Sequence, residues 1–223
     1  MPTQDHSPSK IGDETHKSGK QGSGSPITAR GEATRRRILD AAEEVFGEYG
    51  YYEASISEIT RRAGVAQGTF YIYFRTKREI FAELVEDIGK RLRAAIRSAT
   101  RGTADRTEVE RYGFKTFFEF VATHRRIYSV LQEAERVAPE AAHAYYDGLA
   151  RGYTHRLNEA MDAGTIRSVD AEAIAYALMG IGHFVALRWL VWSQQDDTRP
   201  DDMPPLPDSV MDSVLDFIMS GLK

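Results

Sequence analysis

Apolar residues recur every three to four positions from about residue 30 through most of the chain, which is the spacing of one face of an α-helix. In the first such segment this face carries Ile38, Ala42, Val45, Phe46 and Tyr49. No segment alternates apolar and polar residues between hairpin turns, as a half-buried β-strand would. The sequence therefore predicts an all-α protein with about nine helices.

The ends of these helices are marked by residues that satisfy free backbone groups. Ser55 and Thr76 are each followed three positions later by Glu, which is the capping box that opens a helix. Gly50, Gly64 and Gly164 follow helix-patterned segments and predict left-handed stops. The predicted helices cover about 30–49, 55–64, 67–74, 76–96, 107–124, 126–136, 139–163, 171–193 and 208–218.

Composition and charge divide the chain into three parts. Residues 1–29 are rich in Ser, Gly, Lys and Gln and too poor in apolar residues to bury a core, so they are predicted to be disordered. Residues 30–90 are predicted to form a three-helix head, and residues 91–223 a larger helical body. The head region carries a slight positive excess and the body is acidic, within a net charge of −4. This asymmetry is compatible with nucleic-acid binding at one end.

Several classes of protein are excluded by the sequence. The chain has no cysteine, which excludes disulfides, thiolate metal sites and cysteine nucleophiles. Its six histidines show no HxxxH or HxH spacing, and no nucleophile elbow, phosphate loop or paired-carboxylate motif is visible. Neither an enzyme nor a metal or cofactor site is therefore predicted. The N-terminus has no apolar signal-peptide core, which predicts a cytoplasmic protein.

One segment, residues 173–192, approaches the length of a membrane span. It contains Arg188, and a charged Arg at the centre of a bilayer costs on the order of 2.5–3.5 kcal/mol. No positive cluster flanks the segment, and the loop that follows it is acidic. The prediction is therefore a buried helix in a soluble oligomer, with no membrane as a partner.

The stretch GVAQGTFYIYFRTK, residues 64–77, concentrates aromatic side chains next to a glycine-marked turn. Residues from about 55 to 74 predict a short helix, a tight turn and a second short helix, which is the order of a helix-turn-helix. Phe70 and Phe74 are one turn apart and should face inward, whereas Gln67, Gly68 and Tyr71 should face outward. Glycine within a helix costs about 1 kcal/mol relative to alanine, so Gly68 indicates close approach to another molecule. The alternative is a solvated helix with its tyrosines packed flat.

Residues 34–87 resemble the DNA-binding domain of the TetR family of transcriptional regulators. The matching residues keep the family's order and spacing: Ile38-Leu39-Asp40-Ala41-Ala42, Phe46, Gly50-Tyr51, Ser55, Ile59, Ala63-Gly64-Val65, Gly68-Thr69-Phe70-Tyr71, Tyr73-Phe74 and Lys77. The resemblance implies that residues 67–73 are a recognition helix for double-stranded DNA. Ala66 departs from the Ser or Thr that commonly caps this helix.

The resemblance also implies roles for individual side chains. Four of them would bind phosphates, namely Thr69, Tyr71, Tyr73 and Lys77. Gln67 and Gly68 would lie nearest to the bases. Apart from the resemblance, the charge run Arg35-Arg36-Arg37 opens the first helix and is expected to touch the DNA backbone across the neighbouring groove, with a solvated charged face as the alternative. The full set of expected DNA-binding residues is Arg35, Ser55, Ser57, Gln67, Gly68, Thr69, Tyr71, Tyr73 and Lys77.

For the rest of the chain the resemblance implies architecture only, a helical body whose last two long helices pair with a second copy. Gly180 and Gly182 fit the close approach of helices in such a homodimer. Two recognition helices in a dimer read half-sites about 34–36 Å apart. A homodimer on a palindromic operator is therefore expected.

Aromatic residues with polar tips predict either a packed core or, as the resemblance implies, a ligand cavity in the body. An arginine in an apolar helix needs an anion, so Arg188 is expected to pair with Glu133, Glu135 or the acidic head of a ligand. The first hypothesis for the effector is a small hydrophobic molecule, either a fatty-acyl or aromatic carboxylate or its thioester. The residues expected to bind it are Phe117, His124, Tyr128, Tyr146, Tyr153, Phe184 and Arg188.

Two functions follow from these observations. The first is a ligand-responsive transcriptional repressor that its effector releases from the operator. The alternative is a structural or constitutive DNA-binding protein of the same fold, with a filled body and no effector. Ligands that bind only the folded state raise the melting temperature, so a screen with hydrophobic metabolites separates the two.

Overall fold

A computed structural model describes residues 29–192 and 205–223 of the chain. These residues form nine α-helices and contain no β-strand, as the apolar spacing predicts. The helices are α1 (Ala29–Glu53), α2 (Ile56–Ala63), α3 (Gln67–Tyr73), α4 (Lys77–Ala99), α5 (Arg106–Thr123), α6 (Arg125–Val137), α7 (Pro139–Asp162), α8 (Ala171–Ala186) and α9 (Asp208–Leu222). The predicted disorder of the N-terminal tail concerns residues that, except for Ala29, lie outside the described part.

The helix ends form where the capping residues predict them. Ser55 Oγ accepts a hydrogen bond from the Glu58 backbone N–H at 3.1 Å, and Thr76 Oγ1 accepts one from the Glu79 N–H at 3.0 Å. Gly64 ends α2 with a left-handed φ of 63°, a conformation that glycine adopts without steric cost. These local interactions fix the start of α2, the turn into α3 and the start of α4.

The first helix departs from the prediction at its end. Gly50 has a φ of 71°, as a stop requires, but one further helical turn reaches Glu53. Two contacts hold this turn. The Glu133 carboxylate accepts a hydrogen bond from the Tyr51 N–H at 2.7 Å, and Lys77 Nζ donates to the carbonyl oxygens of Tyr51 and Ala54 at 2.8 Å each. Both partners lie far along the sequence, so local sequence patterns do not reveal them.

The buried side chains form two clusters. The first joins the apolar faces of α1, α2, α3 and α4 to α6 and the beginning of α7. The second lies between α5, α7, α8 and α9. The helix α4 runs without interruption through residue 90, the boundary expected between head and body. Because α6 and the beginning of α7 also belong to the first cluster, helices α1 to α4 are packed directly on these two helices.

Helices α1 and α6 approach each other closely along a seam that two glycines permit. A Cβ atom on Gly47 would lie 2.3 Å from Cβ of Arg126, which no side chain could tolerate. At the other end of the seam, a Cβ on Gly50 would lie 2.9 Å from Oε1 of Glu133. We call the contact of Gly47 and Gly50 with Arg126 and Glu133 the α1–α6 seam. It fixes the position of α6 relative to the head.

The long apolar helix α8 continues into a π-helical turn, Leu187–Val191, in which the Trp192 N–H donates to Leu187 O at 2.7 Å. By length and composition, Ala171–Val191 is the one helix among the described residues that could cross a membrane, with a mean hydropathy of 1.6. Its buried face contacts α5 and α7. Its other face exposes Phe184 and Trp192, and Phe217 is exposed on α9.

Candidate DNA-binding face and ligand cavity

The short helix α3 buries one side in the head and exposes the other. Phe70 and Phe74 are fully buried in the first cluster, with ring centroids 5.6 Å apart, as their one-turn spacing predicts. Gln67 and Gly68 are exposed, and nothing lies within 4 Å of the position that a Cβ on Gly68 would take. The face around the start of α3 is therefore open to a large partner.

The remaining side chains predicted to face DNA on α3 differ in their exposure. Tyr71 is half-exposed and contacts the buried Phe70 ring edge-on at 5.4 Å. Thr69 and Tyr73 are partly buried, and Tyr73 packs against the first cluster. Ala66 makes no side-chain cap, as its identity predicts. The tyrosine rings are thus supported from the inside while Tyr71 reaches the surface.

Helix α2 presents two serines at its start. Ser55 and Ser57 are both exposed, and Ser55 Oγ is engaged as the N-cap of α2. Glu58 binds Arg61 and Arg62 through its carboxylate oxygens, and these hydrogen bonds lower the pKa of Glu58 to about 2. This ionic cluster keeps the positive charge of Arg62 paired within the protein.

Two residues expected at the DNA are committed to contacts within the head. Arg35 pairs with Glu83 of α4, and its guanidinium lies 5.2 Å from the centroid of the Phe74 ring. Lys77 Nζ donates to three backbone oxygens at the end of α1 and lies 4.6 Å from the centroid of the Tyr51 ring. The sequence shows the charge of these side chains but not the acceptors that the fold brings to them.

Replacing Lys77 with methionine is expected to lower the free energy of unfolding by about 1–3 kcal/mol, because carbonyl groups at the end of α1 lose their donor. Thermal denaturation of the full chain measures this effect. Arg75→Met is a matched control, since Arg75 is an exposed cation two residues before Lys77. Equal melting temperatures for the two variants would show that the contacts of Lys77 with the end of α1 do not stabilise the head, which would leave Lys77 available to bind DNA.

The body contains a cavity of about 360 Å³ between α4, α5, α6, α7 and α8. Its walls combine apolar and aromatic side chains with charged ones. The apolar and aromatic residues are Ile96, Val109, Phe114, Phe117, Tyr128, Leu131, Tyr145, Tyr146, Leu149, Tyr153, Leu178 and Met179. The charged residues are Arg93, Arg97, Arg106, Glu110, Arg151 and Arg156. Four of the seven residues expected at a ligand, Phe117, Tyr128, Tyr146 and Tyr153, line this cavity.

Four arginines, Arg93, Arg97, Arg151 and Arg156, line the cavity and form no ion pair with a carboxylate among residues 29–192 and 205–223. Nη1 of Arg93 is buried and has no acceptor there. It lies against α7 at Gly148, where a Cβ would be 2.6 Å from Nη1. Burial, together with the charges of Arg97 and Arg151, lowers the pKa of Arg93. A cluster of like charges with a buried free donor is suited to an anion.

A second group of polar residues in the cavity wall consists of side chains whose opposite charges pair with each other. Arg106 and Glu110 form a buried ion pair on α5, with side chains only 7% and 2% exposed. Glu110 also accepts a hydrogen bond from the Tyr153 hydroxyl on α7, and Arg106 Nη1 donates to the carbonyl oxygen of Arg156 at 3.3 Å. Burial and the neighbouring Glu110 carboxylate raise the pKa of Tyr153, so its hydroxyl stays protonated and donates. This network joins α5 to α7 across the cavity.

A third polar contact joins α6 to α8. The buried hydroxyl of Tyr128 is hydrogen-bonded to Nδ1 of His183, and both residues line the cavity. Burial lowers the pKa of His183 and raises that of Tyr128, which favours the neutral forms of both groups. The cavity thus touches α6, whose other side forms the α1–α6 seam.

The other three residues expected at the ligand lie elsewhere. His124 ends α5 and stacks on Phe120 at 4.5 Å, outside the cavity. Phe184 is 64% exposed on the outer face of α8. Arg188 is exposed in the π-helical turn, with its guanidinium 5.5 Å from the centroid of the Trp189 ring.

Arg188 forms no ion pair with Glu133 or Glu135 among the described residues, and Glu133 instead binds the backbone of Tyr51 in the head. The third expected partner of Arg188, the acidic head of a ligand, stays a prediction. The π-helical turn explains part of this difference. It rotates the end of the helix away from the face that regular α-helical spacing predicts. One of the two glycines of α8 differs from the prediction, since Gly182 packs inward, where a Cβ would be 3.3 Å from the Phe114 ring. Nothing lies within 4 Å of the position that a Cβ on Gly180 would take.

The charged cavity residues escaped the sequence analysis because charged positions on a helix usually form a solvated face. One signal was available in α7, where Gly148 and Gly152 interrupt a long helix. Glycine is unfavourable within a helix, so such positions indicate close approach of a neighbouring group. At Gly148 that group is the guanidinium of Arg93.

Known proteins of similar sequence and structure share this fold and the DNA-binding head. The sequence profile of bacterial regulatory proteins of the tetR family matches residues 38–84. YdgC of Bacillus subtilis (strain 168), an uncharacterised HTH-type transcriptional regulator, is 30% identical over 160 residues, which cover 70% of this chain and 80% of YdgC. The HTH-type transcriptional activator FasR of Mycolicibacterium smegmatis is 28% identical over 191 residues, covering 85% of this chain and 83% of FasR.

Solved structures share the whole fold. The fatty acid degradation regulator FadR from Bacillus halodurans has a TM-score of 0.72 and 22% identity, over 85% of this chain and 96% of that one. FadR from Bacillus subtilis, in complex with stearoyl-CoA, has a TM-score of 0.70 and 24% identity, over 84% and 99% of the two chains. The family profile and the curated relatives agree on a regulator and not an enzyme. The chain belongs to the tetR family of bacterial regulatory proteins and is a DNA-binding transcriptional regulator.

Proposed function

We propose that the protein is a cytoplasmic repressor that binds a palindromic operator as a homodimer and leaves it when an acyl effector fills the cavity of the body. The observation that carries the proposal is the cavity with apolar walls and four arginines that pair with no carboxylate among the described residues. The alternative, a constitutive DNA-binding protein, requires a filled body. A cavity of about 360 Å³ lies in the size range of ligand sites, roughly 300–1,000 Å³.

The chemistry of the cavity supports an acyl ligand with an anionic head. Phe114, Phe117 and Leu178 offer an apolar surface for a hydrocarbon chain, and Arg93, with its buried free donor, offers a partner for an anion. An uncompensated buried guanidinium is costly, so an anion that reaches it gains more than it would in water. The bound stearoyl-CoA in the related fold of FadR from Bacillus subtilis is consistent with such a ligand.

Two connections would carry the signal from the cavity to the head. Helix α4 lines the cavity near its end and belongs to the core of the head at its beginning. Helix α6 lines the cavity through Tyr128 and Leu131 and contacts α1 through the α1–α6 seam. A ligand releases DNA only if it prefers a body conformation in which the two heads are wrongly spaced for the operator.

The exposed face of α8 and α9 supports dimerisation. Trp189 and Phe217 are exposed beside a groove lined by Ile181, Val185 and Val214. An apolar patch of this kind on a soluble protein marks an interface. A second copy placed there would bring two recognition helices to one operator, as a palindrome requires.

Replacing Phe217 with glutamate is expected to convert the dimer to a monomer, because two charges would meet in an apolar interface. Sedimentation velocity at micromolar concentration measures the change. Tyr112→Glu is a suitable control, since Tyr112 is exposed on α5 outside this face. A Phe217→Glu protein that still sediments as a dimer would place the interface elsewhere.

Within the DNA interface, Gln67→Ala should cost about 1–3 kcal/mol on a selected operator and little on random DNA, because an amide side chain can read an adenine edge. Tyr71→Phe should weaken binding to both DNAs, because it removes a hydroxyl placed for phosphate. Fluorescence anisotropy on the two duplexes measures both effects. Equal losses for Gln67→Ala on both duplexes would contradict base reading by Gln67.

The proposed switch is tested with the full chain on a duplex selected from random sequences. Palmitoyl-CoA is titrated against the complex, with palmitate and coenzyme A alone as separate arms. We expect palmitoyl-CoA to release DNA at concentrations that leave coenzyme A without effect. Operator binding that no acyl compound changes, together with unchanged melting temperatures, would favour the constitutive alternative.

A further inference from the structure

The exposed side chain of Ile72 in the head lies outside the proposed dimer face and has no polar group that would suit it to water. Ten large hydrophobic side chains are exposed in the described part of the chain, and Ile72 on α3 is the most exposed of them, at 75%. Four others, Phe184, Trp189, Trp192 and Phe217, lie on the proposed dimer face of α8 and α9. The remaining five, Tyr49, Tyr52, Tyr71, Tyr112 and Tyr176, are tyrosines, whose hydroxyls suit water. Ile72 has neither explanation.

The position of Ile72 on α3 places it at the open face of the helix. Side chains on an α-helix lean towards its N-terminus, so the side chain of Ile72 covers the turn that contains Gly68. Nothing occupies the space within 4 Å of a Cβ on Gly68. The neighbours on this face, Gln67 and Tyr71, are also exposed. Ile72 therefore shares one surface with the residues expected at the bases, and Gly68 leaves room for close approach.

The chemistry of an isoleucine in a DNA groove is restricted. It has no hydrogen-bond donor or acceptor, so it cannot bind phosphates or the polar edges of bases. The apolar group that a base presents in the major groove is the C5-methyl group of thymine. We infer that Ile72 is a specificity-determining residue that contacts a thymine methyl group in each half-site. This inference rests on the placement of α3 in the major groove.

The test removes the methyl group from the DNA and the side chain from the protein. A duplex is selected from random sequences with the full chain, and each thymine is replaced in turn by deoxyuridine, which lacks only the methyl group. We expect one thymine per half-site at which this replacement weakens binding by about fourfold, or roughly 15-fold when both half-sites are changed. Ile72→Ala should weaken binding to the thymine duplex by a comparable factor.

The decisive measurement is the combination of both changes. If Ile72 contacts the methyl group, Ile72→Ala should bind the thymine and deoxyuridine duplexes equally well at that position, and Ile72→Val should keep part of the preference. Because Ile72 is exposed, these variants should fold with unchanged melting temperatures. Gln67→Ala serves as the comparison that lowers affinity while keeping the sensitivity to the thymine methyl group.

Three outcomes would overturn the inference. The affinity losses caused by Ile72→Ala and by deoxyuridine could multiply independently at every thymine. This result would show that the Ile72 side chain does not touch a thymine methyl group. A uniform loss for Ile72→Ala on selected and random DNA would assign Ile72 to the sugar-phosphate backbone. If the native chain binds every deoxyuridine duplex as tightly as the thymine duplex, Ile72 does not contact a thymine methyl group, although DNA binding itself remains. A chain that selects no sequence at all would instead contradict the placement of α3 in the major groove.

Discussion

Replacing Glu110 with alanine is expected to lower the free energy of unfolding by about 3–5 kcal/mol, because Arg106 then remains as an uncompensated buried charge. Tyr153 loses its acceptor at the same time, and its buried hydroxyl has no other partner among the described residues. In a chain of this size each kcal/mol lowers the melting temperature by about 2–4 °C. A drop of about 6–20 °C in thermal denaturation is therefore expected.

The double variant Arg106→Met with Glu110→Leu is the matched control. It removes both charges and fills the space with apolar side chains, so the cost that remains is the lost acceptor of the Tyr153 hydroxyl, about 1–3 kcal/mol, and the double variant should be more stable than Glu110→Ala. Arg106→Met alone should be as destabilising as Glu110→Ala, because it leaves Glu110 buried and unpaired. If Glu110→Ala melts within a few degrees of the native protein, water reaches the pair and the cavity wall is more open than the structure indicates.

Replacing Arg93 with methionine is expected to weaken binding of an anionic acyl ligand by about 10- to 100-fold, the cost of losing a hydrogen bond to a charged group in a buried site. Its affinity for operator DNA should stay close to the native value, because Arg93 lies in the body, on the cavity. The repressor should then stay on DNA at effector concentrations that release the native protein. Calorimetry of palmitoyl-CoA binding and anisotropy of the DNA complex measure the two effects.

Arg136→Met provides a control, since Arg136 is an exposed cation on α6 outside the cavity and should change neither measurement. Linkage gives a second check on the mechanism. Saturating operator DNA must weaken effector binding to the native chain by the factor with which the effector weakens DNA binding. Effector affinity that is equal with and without operator would show that cavity and head are not coupled.

The extent to which the sequence predicts this protein depends on the range of the interactions. Caps such as Ser55 and Thr76 act within three residues, so the helices and the turn before α3 are predicted from local patterns. The inward placement of Phe70 and Phe74 follows from helical periodicity in the same way. The resemblance of the head adds the recognition helix, because its landmarks lie close together in the sequence.

The cavity is predicted less well because it exists only between helices. Phe117 and Tyr146 line it, as their aromatic patterns predict, but periodicity does not say which face of α8 meets α5. Phe184 and Arg188 therefore lie on the exposed face of this segment and not in the cavity wall. Arg93 and Glu110 resemble solvated charges in the sequence, and only the packing of α4, α5 and α7 shows that they are enclosed. Lys77 illustrates the same limit, since its three acceptors lie more than 20 residues away.

The α1–α6 seam has a consequence for how such regulators can be recombined. Gly47 and Gly50 leave room for Arg126 and Glu133, so the two surfaces match in shape as well as in hydrogen bonding. Another head with a side chain at the position of Gly47 would collide with the backbone of α6, where Cα of Arg126 lies 3.2 Å from the position of that Cβ. The head is therefore not an interchangeable cassette. A working chimera with a new operator specificity would need either a new face on α3 alone or a transplant that carries α6 together with its own α1.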